Sequence, residues 1–214
     1  HHTSFTDSFR NFLAPSGNGP SLRPYHCYEG EFPQAGDACD GWLITGSAAS
    51  VYDGDEWIAE LEAFTRTAAE SKPVVGICFG HQLVAQAFGG TVAKASGWGI
   101  GVHRHELTAS PDWMQPSLSG ISLLASHQDQ VVTPPPGAEV LGGSDFCPIG
   151  VMTVRPNVLS IQNHPEMTNP FAADLYHSRR DRMGSGTVDT ALDSLATPTD
   201  EAAVAAWILN FLKH

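Results

Sequence analysis

The sequence predicts an α/β fold: a mostly parallel central sheet with helices on both faces, plus a smaller antiparallel hairpin sheet. Three observations carry this prediction. GWLITG (41–46) and PVVGI (73–77) are short apolar runs bounded by Gly or Pro, the pattern of strands buried on both faces. Each leads into a stretch with apolar residues at helical spacing, and strand–helix alternation of this kind builds a parallel sheet. From 91 to 163 the rhythm changes to short segments cut by Gly, Pro and Asp, which reads as hairpins.

Taken in order, FTDSFRNFL (5–13) predicts a short amphipathic helix, 14–21 a loop, and 22–28 a strand of weak alternation. After the first buried strand, residues 53–71 open with acidic residues suited to a cap. They place Trp57, Leu61, Phe64 and Ala68 along one helical face, and Pro73 ends the stretch. After the second strand, GHQLVAQAF (80–88) predicts a helix stopped by Gly89-Gly90. Short strands are expected at 91–95, 98–107, 121–126, 138–142, 149–154 and 158–163. Helices close the chain: 169–182, opened by Asn169-Pro170, a piece near 188–195, and 200–212 with Trp207, Ile208, Phe211 and Leu212 as its apolar stripe.

Composition narrows the function classes. A formal charge of −12, from 23 acidic against 11 basic residues, repels phosphates and anionic headgroups, so neither nucleic acid nor a membrane is an expected partner. No stretch approaches the length of a membrane-spanning helix. The four cysteines (27, 39, 78, 147) form no CxxC pair, which argues against a disulfide scaffold and a structural zinc site and points to a reducing, cytoplasmic location. His103 and His105 alternate in an expected strand, but nothing beside them completes a metal set, so no metal is expected. Cys27, Cys39 and Cys147 read as ordinary core or surface thiols.

The sharpest local feature is VVGICFGHQ (74–82). A strand feeding directly into a helix forces a tight turn. Gly76 and Gly80 flank Cys78 and let the two arms of that turn approach while the cysteine projects, the geometry of a nucleophile elbow. At a helix N-terminus the free N–H groups and the helix dipole favour a thiolate. Those N–H groups, that of Phe79 above all, are also placed to stabilise an oxyanion.

A thiol nucleophile needs a base, and the base an orienter. VLSIQNHPEM (158–167) supplies both. Its apolar strand places His164 near a strand end, Pro165 biases His164 to an extended conformation, and Glu166 then lies on the same side, two residues on. Taken without the elbow, His-Pro-Glu reads as an ordinary exposed turn.

Together GICFGHQ (76–82) and HPE (164–166) resemble the class I glutamine amidotransferase domain, as in the glutaminase part of GMP synthase, whose fold is flavodoxin-like. WLITGS (42–47) resembles the family's glycine turn, and SHQDQVV (126–132) a strip preceding a proline-rich turn; the likeness runs from about 22 to 170. The resemblance implies a triad of Cys78, His164 and Glu166, with an oxyanion hole at Gly46 and Phe79. It implies substrate contacts at Ser47 and Gln82, and at His127 and Gln128 through their backbone, and it implies no cofactor. Residues 1–214 read as one such domain. The family opens with a central parallel strand that this sequence lacks before residue 22, so a strand-forming segment is expected to be missing. The His1-His2 start reads as a tag remnant, a processed end or the middle of a longer chain.

The resemblance implies glutaminase chemistry, with ammonia passed to a separate synthetase subunit, since no synthetase domain or ATP-binding glycine loop is present. A hydrolase of γ-glutamyl amides or peptides with the same triad stands as the alternative. A non-catalytic binding module on this fold is the reading from a different class.

Overall fold

The computed structural model describes residues 4–14, 19–33 and 38–214. Three strands are parallel: β1 (Trp42–Ile44), β2 (Val74–Ile77) and, far later in the chain, β7 (Val158–Ile161). Four more join antiparallel to them: β3 (Thr91–Leu107), β4 (Gly120–Thr133), β5 (Glu139–Gly143) and β6 (Val151–Thr153). All lie in one sheet, ordered β1-β2-β7-β6-β5-β3-β4. The α/β class is as expected. The hairpins, however, continue the parallel strands edge to edge, because β6 pairs with both β5 and β7.

Alternate residues of the central strands face opposite sides. Val75, Ile77, Leu159 and Ile161 pack in one apolar cluster, and Val74 and Val158 in another. The first cluster is covered by α1 (Phe5–Leu13), which buries Phe9, Phe12 and Leu13, and by α7 (Glu201–Phe211), which buries Val204, Trp207, Ile208 and Phe211. Ser4 caps α1, its hydroxyl accepting from Asp7 N–H at 3.1 Å. The second is covered by α2 (Glu56–Ala68) and α3 (Phe79–Ala87). On α2 the buried stripe is Ile58, Leu61, Thr65 and Ala68, with Trp57 and Phe64 half-buried at its edge.

Three expectations are corrected. Residues 22–28 form no strand. Pro24 has no N–H to give a ladder, and Cys27–Glu29 instead make a 3-10 turn closed by Gly30 at φ 82°. The segments 91–95 and 98–107 are one strand, β3, whose register against β4 shifts between Lys94 and Gly99; irregular pairing hid its continuity from the sequence pattern. The helix expected over 169–182 is two: α4 (Asn169–Ser178) and α5 (Arg180–Met183), broken at Arg179, followed by α6 (Ser185–Ser194). The break lets Tyr176 and Met183 both enter a third apolar cluster, with Ile100, Leu124 and Val188. Tyr176 also ties α4 to the hairpin, its hydroxyl donating to Ala125 O at 2.5 Å and accepting from Gly101 N–H at 3.0 Å.

Of the expected loop 14–21, residues 15–18 lie outside the described residues, as does the His1-His2 start. Among the described residues β1 ends the sheet order, and no helix is long and apolar enough to cross a membrane.

Candidate active site

The site lies where β1, β2 and β7 end together. Cys78 follows β2 without a spacer and has φ 53° and ψ −102°, a conformation that a non-glycine residue adopts at a strain of about 1–3 kcal/mol. The turn is held on both sides. Cys78 N–H donates to Ile161 O at 2.9 Å, and Cys78 O accepts from Gln82 N–H at 3.1 Å. Both flanking glycines are required by contact: a Cβ on Gly76 would lie 2.4 Å from Gly80 O, and one on Gly80 2.2 Å from Ile44 O. The sulfur therefore stands at the start of α3, whose first N–H groups have no intrahelical acceptor and no side-chain cap.

His164 is extended enough to bridge Leu124, but the expected extension does not continue: Pro165 and Glu166 form a turn, and the carboxylate reaches the ring through it. His164 N–H donates to Leu124 O at 2.7 Å, which pins the segment after β7 to β4. His164 Nδ1 lies 2.7 Å from Glu166 Oε1, and both side chains are buried. Gly46, after β1, is the meeting point: a Cβ there would lie 2.9 Å from His164 Cε1 and 3.8 Å from Cys78 Cβ. Burial alone pulls the His164 imidazole down, but the Cys78 sulfur and the Glu166 carboxylate outweigh it and hold the ring well above its ordinary value. The arrangement favours the charged form of the imidazole.

The other predicted positions divide. Phe79 begins α3, with its ring stacked on Trp57 at 5.5 Å. Ser47 is exposed, and its hydroxyl accepts from Ala49 N–H. Gln82 is buried with both side-chain N–H groups engaged, one to Asp129 O at 2.7 Å and one to Gln162 Oε1 at 3.3 Å. The His127 ring is buried against Phe146 with Nδ1 3.1 Å from Asp129 O and Nε2 without a partner among the described residues; Gln128 beside it is half-buried. Burial, with His103, His164 and His105 nearby, lowers His127 to about 3 against the opposing effect of the hydrogen bond that Nδ1 donates to Asp129 O.

Two features went unread in the sequence. Asp129 is gripped by the hydroxyls of Ser50 and Tyr52, the latter at 2.7 Å, from the loop after β1; such a pairing across the chain has no local signature. Gln162 lies two residues before His164 in the bend that follows β7, where strand alternation gives no signal of which way its side chain turns. Its Nε2 is 3.8 Å from Cys78 Sγ.

His103 Nε2 turns to Ile100 O at 3.1 Å, and His105 is fully buried with Nε2 3.4 Å from Asn163 Nδ2. Among the described residues no His, Cys, Asp and Glu side chains are grouped to hold a metal. All four cysteines are free, Cys147 in the core.

The glutamine amidotransferase class-I family model matches residues 2–174. Gamma-glutamyl peptidase 2 of Arabidopsis thaliana is 32% identical over 177 residues, 78% of this chain and 71% of that protein. The glutamine-hydrolyzing GMP synthase of Archaeoglobus fulgidus has a subunit that is 35% identical over 108 residues, 50% of this chain and 59% of that one. A glutamine amidotransferase structure from Methylobacillus flagellatus superposes with TM-score 0.74 at 23% identity, covering 96% of this chain and 87% of that one. One from Thermotoga maritima gives 0.73 at 16%, covering 100% and 94%.

Proposed function

We infer that this chain, which belongs to the class I glutamine amidotransferase family, hydrolyses γ-glutamyl amide bonds through a thioester on Cys78. Within that family it is a cysteine-dependent hydrolase. What carries the catalytic reading is the convergence of Cys78 and His164 at Gly46, with Glu166 on the far nitrogen of the imidazole.

The Cys78 thiolate adds to the γ-carboxamide carbon, and the carbonyl electron pair moves to oxygen, facing the N–H groups of Phe79 and Gly46. Collapse breaks the C–N bond while His164 gives its proton to the departing nitrogen, leaving a γ-glutamyl thioester and a free amine. Water then adds to the thioester with His164 taking its proton. A second collapse breaks the C–S bond, restores the thiolate beside the imidazolium and releases the γ-carboxylic acid, whose proton passes to solvent. Glu166 keeps the imidazole oriented and favours its charged form. Ser47, the side-chain oxygen of Gln82 and the backbone of 127–128 are assigned to the glutamyl moiety on the family resemblance.

The extent of similarity to gamma-glutamyl peptidase 2 favours a leaving group larger than ammonia, since it spans 78% of this chain. A glutaminase feeding a separate synthetase subunit is the second reading, supported by the likeness to the archaeal GMP synthase over half the chain. Incubating purified protein with glutamine and with a panel of γ-glutamyl dipeptides separates them. Dipeptide cleavage without ammonia from glutamine is expected; rapid ammonia release with intact dipeptides transfers the assignment to the glutaminase. A protein that a glutamine-mimicking chloroketone does not label at Cys78 is a binding module instead.

A further inference from the structure

Gln162 is fully buried between the nucleophile and the helix that follows it. Its backbone is fixed, since Gln162 N–H donates to Gly150 O at 2.9 Å and the preceding Ile161 O accepts from Cys78 N–H. The orientation of its amide is fixed too. Gln82 Nε2 has two hydrogens; one goes to Asp129 O, and the other has Gln162 as its acceptor. The end of Gln162 that faces Gln82 is therefore the carbonyl oxygen, and the end that faces Cys78 Sγ is the NH2. Among the described residues, the sulfur is the acceptor that this NH2 meets.

A buried amide donor lacking a good acceptor is costly, and a charged acceptor makes a stronger hydrogen bond than a neutral one. A thiolate satisfies this NH2 better than a thiol does, so the amide favours the charged form of the sulfur. At 3.8 Å the contact is long, as a hydrogen bond to the large sulfur atom is. The bond weakens once the sulfur carries an acyl group, which removes the charge.

We propose that Gln162 is a further catalytic residue of this site, a neutral donor that holds the Cys78 sulfur as thiolate and is itself aimed by the Gln82–Asp129 link. The proposal rests on the reading of Cys78 as nucleophile. The titratable groups acting on the sulfur are His164 with Glu166 behind it, from the segment after β7, and Cys147, from the loop between β5 and β6. Gln162 adds a contribution that none of these supplies, because it carries no charge to lose.

The test is the rate of Cys78 alkylation by iodoacetamide from pH 5 to 10, read by mass spectrometry of the Cys78 peptide, in the wild type and in Gln162→Met. No substrate is needed, so the result does not depend on which amide is cleaved. The expected outcome is a profile moved about one pH unit to the alkaline side, hence roughly tenfold slower labelling at pH 6.5, with the rate at pH 10 unchanged. An unmoved profile, whether or not the plateau falls, overturns the proposal and leaves a purely structural residue. If Gln162→Met does not fold, Gln82→Met decides: freeing the Gln162 carbonyl shifts the profile the same way, and no shift overturns the idea. A wild-type protein whose Cys78 resists labelling at every pH instead overturns the nucleophile assignment itself.

Discussion

Gly80 and Ile44 meet backbone to backbone: a Cβ on Gly80 would lie 2.2 Å from the Ile44 carbonyl oxygen and 3.0 Å from its Cβ. Helix α3 therefore seats directly on the end of β1, and this contact sets where Cys78 stands relative to Gly46. Since the obstacle is backbone rather than a side chain that swings aside, Gly80→Ala should destabilise the protein by about 2–3 kcal/mol. It should also displace the elbow and lower turnover even in the folded fraction. Thermal melting and specific activity per folded molecule check this, and a wild-type melting point would refute it.

Cys78→Ala and His164→Ala should each lower hydrolysis by at least about 10³-fold while leaving the far-UV circular dichroism unchanged. The two losses should not add, because thiolate and imidazolium act as one unit. Substantial turnover in either variant would end the assignment.

Glu166→Gln keeps the shape of the Nδ1 contact and removes its charge. The His164 ring, held well above its ordinary value by Cys78 and Glu166, should titrate lower in this variant, and turnover should fall by about 10²–10⁴-fold. NMR titration of the His164 ring beside steady-state kinetics checks both. A ring that titrates as before would show that Glu166 contributes geometry alone.

Acid should unfold this protein earlier than its carboxylates require. Burial lowers His81 to about 3, His105 to about 4 and His127 to about 3, against an ordinary value of 6.5. A depressed folded-state value means that the unfolded chain binds the protons. The stabilisation is complete above pH 6.5 and is lost as the pH falls through 6.5 toward 4 and 3, by about 1.4 kcal/mol per pH unit for each ring. His164 runs the other way, its stabilisation being lost only as the pH rises through its raised value. The urea midpoint should drop clearly between pH 7 and pH 5. A flat profile would mean that these rings are solvated.

Thiol-selective reagents should discriminate within the core. Burial, with Cys78 nearby, pushes the Cys147 thiol up to about 12, so at pH 7.5 iodoacetamide should modify Cys78 while Cys147 stays intact. Peptide mapping at partial modification checks the order, and early loss of Cys147 would contradict it.

The chemistry was legible because it is written locally. Gly76, Cys78 and Gly80 encode a turn within five residues, and His164, Pro165 and Glu166 encode an oriented imidazole within three. Strand polarity and helix termini then follow from short-range sterics and capping, which any nearby set of residues displays. What only the tertiary structure decided lies between distant segments. Sheet order brought β7 against β2, although about eighty residues separate them, and so put His164 beside Cys78 around Gly46. Packing between distant segments likewise aimed Gln162 at the sulfur and set Asp129, on β4, against Ser50 and Tyr52. It also buried His127 and broke the helix at Arg179, neither of which has a local signal. Side-chain contacts across a sheet depend on register and on which face closes over which, and those are settled by the packing of the whole core.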